Sequence, residues 1–210
     1  NPLKKLAGQT AIYGLPTIVG RVLTYLLVPL YTRKFNPEEF GVVSEMYAYV
    51  SFLLIILTYG MESTLFRFSQ TETDKEKVYS TSLISLLITS GIFIVAAIVF
   101  AQPVAEAMRY GNHTEYVIWF AFIIVFDAIT AIPFAKLREQ NRPLRFAAIK
   151  SVGILVNIGL NLFFVYFCKT VYDTKNETFL PFVEKIYNPE LTVGYIFLCN
   201  LASSALTMLL

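Results

Sequence analysis

Five ionisable residues interrupt the long apolar runs of this chain: Arg21, Glu45, Glu62, Asp127 and Lys150. A charged side chain at the centre of a bilayer costs roughly 2.5–3.5 kcal/mol on insertion scales and more on an isolated helix, so such residues face a bundle interior or a watery cavity. There a fixed cation draws an anion, and a carboxylate takes up H+ or Na+. Arg21 sits near the middle of GLPTIVGRVLTYLLVPLY. At about 100° per residue, Thr10, Gly14, Thr17, Thr24, Tyr25, Val28 and Thr32 share its side of a helix. Ile12, Leu15, Val19, Leu23, Leu26, Leu27 and Leu30 lie opposite. A guanidinium in a polar stripe suits phosphate, because its planar fork matches two phosphate oxygens at once.

The other charges extend the pattern. Lys150, Gly153, Asn157, Asn161 and Cys168 fall on one face of a later run. Asp127 comes to nearly the same depth as Arg21 when both helices are paced at about 1.5 Å per residue. An Arg21–Asp127 ion pair and a proton-coupling Asp127 are both compatible with that depth. Glu62 and Arg67 in YGMESTLFRFSQ read as a helix-end anchor, and Ser82, Ser85 and Thr89 as small residues for close helix packing.

These residues need helices to hold them. Hydrophobic residues make up 56% of the 210, charged residues only 15%, and the mean hydropathy is +0.59. A soluble domain has about a quarter of its residues charged. The apolar runs are about 20 residues long, the length that crosses a bilayer. The chain therefore reads as an all-α polytopic membrane protein with six spans, at about 9–32, 39–62, 78–101, 115–135, 144–168 and 191–210. Asn36, Pro37, Glu38 and Glu39 start the second span as cap, first helical residue and dipole-matched acids. A second Asn-Pro-Glu, at 188–190, precedes the sixth. Gly14, Pro16, Gly20 and Pro29 suggest that the first helix bends. Between the last two spans, Phe179, Phe182, Val183, Ile186 and Tyr187 repeat at helical spacing, the pattern of a short amphipathic helix on the surface or of a loop packed on the bundle.

Nine Lys and Arg flank one side of these spans and six the other, and the compact basic segment KLREQNRPLR belongs to the richer side. That side is expected in the cytoplasm, with both ends of the chain. The net charge of +2 and the lack of a basic run with interleaved aromatics give no sign of nucleic-acid binding. Two distant cysteines argue against a disulfide framework, and a single histidine argues against a metal site. No Gly-rich phosphate loop or catalytic cluster is present, so an enzyme is not expected.

The first helix, the NPEEFG entry to the second, its YGMESTLFRF exit and the later LREQNRPLRF loop together resemble the polysaccharide-transporter family of the multidrug/oligosaccharidyl-lipid/polysaccharide (MOP) flippase superfamily. The resemblance covers essentially the whole chain. It implies a transporter of two lobes, about six helices each, that rock about a central cavity. Residues 1–210 would be the N-terminal lobe, with the second lobe absent from this chain. The implied substrate is an undecaprenyl-diphosphate-linked oligosaccharide, flipped across the bacterial inner (plasma) membrane for O-antigen, capsule or exopolysaccharide. Arg21 resembles, in depth and direction, a cavity arginine on the first helix of related lipid II flippases. The residues expected to line the cavity are Arg21, Thr17, Thr24, Tyr25, Lys150, Asn157 and Asn161. Asp127, Glu45 and Glu62 are expected to couple H+ or Na+ or to form ion pairs; no other cofactor is implied. Implied partners are membrane lipids, the second lobe, and polysaccharide polymerase and assembly proteins. The alternative is a cation-coupled multidrug antiporter of the same superfamily, whose cavity would be dominated by acids.

Overall fold

The computed structural model describes residues 14, 18–20, 22, 23, 25–108, 110, 111, 113–175 and 178–210. Among them the ordered elements are all helices: α1 (Val28–Lys34), α2 (Pro37–Thr58), α3 (Met61–Thr71), α4 (Lys75–Val99), α5 (Ala101–Ala107), α6 (Thr114–Glu139), α7 (Pro143–Asn161), α8 (Lys169–Thr174), α9 (Leu180–Ile186) and α10 (Gly194–Leu209). Four rods of described residues are long and apolar enough to cross a membrane: Pro37–Thr71, Lys75–Val99, Thr114–Glu139 and Pro143–Thr174. They match the second to fifth spans expected from the sequence. α10 is a shorter apolar helix at the place of the sixth. The first is described in part, with residues 18–20 helical ahead of α1.

Local chemistry sets the boundaries. At the start of α2 the Asn36 N–H donates to Glu39 Oε2 at 2.9 Å, and Pro37 opens the helix. α4 begins where Asp74 Oδ1 accepts from the Lys77 N–H at 3.1 Å. The turn between α6 and α7 closes with Asn141 left-handed, φ 53°, while the Arg142 N–H donates to the Leu137 carbonyl at 2.9 Å.

Four boundaries differ from the sequence reading. The second span does not stop near residue 62: Tyr59 and Gly60 turn left-handed (φ 32° and 72°), and the rod resumes as α3 to Thr71. A hydrogen bond of 2.7 Å between the Tyr59 hydroxyl and Ser85 Oγ of α4 holds that break. α6 runs on to Glu139, because its last turn is tied to α3 and α4 by ion pairs. The fifth span winds as a π-helix over Leu162–Cys168 between α7 and α8. The second Asn-Pro-Glu caps only a 3-10 turn, Pro189–Leu191, with Asn188 Oδ1 accepting from Glu190 N–H, and α10 starts at Gly194.

α6 is the centre of the bundle, packed by α2, α3, α4, α5, α7 and α10. Half of its apolar window is buried, more than in any other described rod. Ala121, Ala128 and Ala135 recur every seventh residue on it, all buried. On α10, Gly194 lies against its Tyr116 and Trp119 and Ser204 beside its Asp127, both buried; Ser82 and Ser90 of α4 are buried as well. α7 and α10 approach closely as well, with Ser203 Oγ donating to the Gly153 carbonyl at 2.7 Å. In lipid, helix pairs gain little from the hydrophobic effect, so close approach over small residues supplies the attraction.

At the other end, aromatic rings make the contacts. Tyr116, Phe120 and Phe197 meet edge-on, and Tyr187, Tyr195 and Phe164 stack at 4.8 and 5.1 Å. The amphipathic segment forms α9, which buries Val183 and Tyr187 and leaves Phe179, Phe182 and Ile186 exposed.

A Cβ on Gly153 would collide with Thr207 Oγ1 of α10. Gly153→Val should therefore destabilise the bundle by about 1–3 kcal/mol through overpacking. Thermal unfolding followed with a thiol-reactive dye on the buried Cys168 and Cys199 will show a lower midpoint; an unchanged one would refute this packing.

Candidate functional site

One stripe of α6 carries Asp127, Thr130, Ala131, Phe134 and Arg138, at i, i+3, i+4, i+7 and i+11. These residues line a cavity of about 380 Å3 closed by α2 and α3 (Leu54, Ile55, Thr58, Glu62), α7 (Phe146, Lys150) and α10 (Thr207). Asp127 stands at the middle of α6, with Ser204 and Lys150 as its polar neighbours. Eleven residues on, about 16 Å along the axis, Arg138 pairs with Glu62 at the end of the cavity. The guanidinium lies between the rings of Phe66 and Phe146, at 5.6 and 5.9 Å from their centroids. Lys150 Nζ sits 4.9 Å over the ring of Phe134. Rings and hydroxyls thus surround Asp127, Lys150 and the Glu62–Arg138 pair in one space.

Outside the cavity, further ion pairs brace the same end. Lys136 bonds Glu76 at 2.9 Å and lies 3.9 Å over the Tyr79 ring, and Lys75 bonds Glu139 at 2.7 Å. Lys136 and Arg138 of the basic segment are thus tied to acids of α4 and α3 respectively.

Of the expected site residues, the structure brings Lys150, Asp127 and Glu62 together. Arg21, Thr17 and Thr24 lie outside the described residues, and with them any Arg21–Asp127 pair. The described part of the first helix meets the bundle through Gly20, Leu27 and Tyr31, all buried, an edge between the polar stripe and the leucine face. Tyr25 of the polar stripe is 73% exposed. Asn161 is buried: its Oδ1 accepts from the Tyr31 hydroxyl at 2.8 Å and its Nδ2 donates to the Asn157 carbonyl at 2.8 Å. This chain docks the first helix on the fifth span where the π-helix begins. Glu45 stands apart, in a separate crevice between α2 and α4. Sequence reasoning missed Arg138, Ser204 and Thr207 as cavity partners. The spacing of Asp127 and Arg138, eleven residues or three turns, was the available signal for the first.

Among the described residues no group of three His, Cys, Asp or Glu gathers as for a metal. The arrangement places a carboxylate, Asp127, and an ammonium, Lys150, in one space that ends at the Glu62–Arg138 pair.

Spanning helices around a cavity lined by Asp127, Lys150 and the Glu62–Arg138 pair define an integral membrane protein with polar groups among its helices. Residues 6–172 match the family described as polysaccharide biosynthesis protein, and the chain belongs to that family, the polysaccharide-transporter/MOP flippase family. No curated protein and no solved structure matches the chain.

The Glu62–Arg138 pair is half exposed, with side chains 40% and 34% accessible, so its coupling should be below about 1 kcal/mol. A double-mutant cycle with Glu62→Gln and Arg138→Gln, read by thermal unfolding, will return that small coupling. The charge-reversed pair Glu62→Arg/Arg138→Glu will recover most of the loss, and no recovery would contradict a direct pair.

Proposed function

We propose that the protein moves an undecaprenyl-diphosphate-linked oligosaccharide across the bacterial inner membrane for surface polysaccharide synthesis, without making or breaking a covalent bond. In this reading residues 1–210 form the first of two six-helix lobes, with both ends of the segment cytoplasmic, and the lobes rock about a shared cavity. The family match over residues 6–172 carries the reading, because it ties a bundle of spanning helices to polysaccharide synthesis.

Arg21, joined by Lys150, draws the diphosphate by bidentate and point-charge contacts. Thr17, Thr24, Tyr25 and Asn157 offer hydroxyl and amide groups to the sugars, and Asn161 supports them by holding Tyr31. The exposure of Tyr25 supports this, since a residue that meets a sugar must be open to the space between lobes. Asp127 takes up H+ or Na+ when Lys150 turns toward the diphosphate. The Glu62–Arg138 pair then opens or seals the cavity at the end that holds the α6–α7 turn.

Deleting the gene should make the cell accumulate undecaprenyl-diphosphate oligosaccharide, seen by mass spectrometry of extracted lipids. Wild type restores the normal level. Arg21→Ala does not, because a charge-assisted bidentate contact is worth about 10-fold or more in affinity. Lys150→Met falls between the two. Rescue by Arg21→Ala with normal folding would remove the phosphate role. Unchanged glycolipid with new sensitivity to cationic drugs would favour the antiporter.

A further inference from the structure

A second, larger space lies between α2 and α4. It has a volume of about 1140 Å3, above the roughly 300–1,000 Å3 of pockets for drug-sized ligands. Phe120 and Ile124 of α6 form its floor, Leu53 and Phe93 its sides, and α5 closes one end. The lining is apolar except at that end, where Glu45 meets two tyrosines. The Tyr110 hydroxyl donates to Glu45 Oε2 at 2.6 Å, and the Tyr49 hydroxyl donates to Oε1 at 3.2 Å. Burial, and then the bond to Glu45, pushes the Tyr110 hydroxyl up to about 12, so it stays a donor at neutral pH. No Lys, Arg or His among the described residues lies within ion-pair distance of Glu45.

We propose that this crevice binds a membrane phospholipid with a primary ammonium headgroup, its chains between α2 and α4 and its ammonium on Glu45. The walls belong to helices long and apolar enough to cross a membrane, so an opening toward the bilayer meets lipid, and the apolar length accepts acyl chains of any class. Selection falls to the headgroup. A carboxylate offers about four lone-pair positions, of which the tyrosines take two; an ammonium brings three N–H donors to the rest. A choline headgroup has the charge without those donors, and a glycerol headgroup leaves a phosphate anion facing Glu45. This site is independent of the transport reading, since neither Asp127 nor Lys150 lines it.

The test is native mass spectrometry of the protein with equimolar phosphatidylethanolamine, phosphatidylcholine and phosphatidylglycerol of matched chains. Wild type should retain phosphatidylethanolamine about tenfold over the other two. Glu45→Gln, a surface change that leaves the bundle intact, should bring it down to their level. Ala97→Phe, which fills the crevice, should remove all three. Equal retention of the three lipids by wild type, or a preference that survives Glu45→Gln, overturns the proposal. So does a dimer that excludes every lipid, because a second copy would then fill the crevice.

Discussion

A lipid bilayer gives a polypeptide no hydrogen-bond partners and gives two apolar helices little reason to associate. The architecture of this protein follows from that constraint. Backbone groups are satisfied within helices, and the bundle is assembled by bringing helices close around α6. Ala121, Ala128 and Ala135 keep that helix thin on one side, and Gly153, Ser203 and Gly194 do the same for its neighbours. Dispersion at short range then replaces the driving force that water supplies to soluble cores.

The same constraint decides where polar groups go. At one end ion pairs fasten α3 and α4 to the last turn of α6, and Tyr59 and Gly60 redirect the chain so that Glu62 reaches Arg138. At the other end rings stack and the Tyr31–Asn161–Asn157 chain fixes the first helix. Between them Asp127 and Lys150 stand in the internal cavity, beside hydroxyls and rings rather than in hydrocarbon. Charge at that depth persists because protein surrounds it.

Much of this was legible in the sequence, for physical reasons. Apolar runs of bilayer length announce helices without regard to tertiary context, and Asn36–Pro37–Glu39 marks its helix start with local chemistry alone. The stripe through Lys150, Gly153, Asn157 and Asn161 follows from helical spacing, and the structure turns it toward the bundle. What escaped depends on contacts between distant segments. The left-handed Tyr59 is held by Ser85, 26 residues away, and the π-helix at Leu162–Cys168 begins where Asn161 meets Tyr31. Arg138 looked like a loop cation because its partner, Glu62, lies 76 residues earlier. The edge by which the first helix packs, Gly20–Leu27–Tyr31, is neither its most polar nor its most apolar face, so hydropathy alone does not mark it.

The most direct measurement is translocation in proteoliposomes. Purified protein is reconstituted with an undecaprenyl-diphosphate oligosaccharide on one leaflet, and its arrival on the other is timed with a membrane-impermeant lectin. Transfer should depend on the protein and speed up under an imposed H+ or Na+ gradient. No transfer of the glycolipid, together with gradient-driven movement of a cationic dye through the same vesicles, would contradict that expectation.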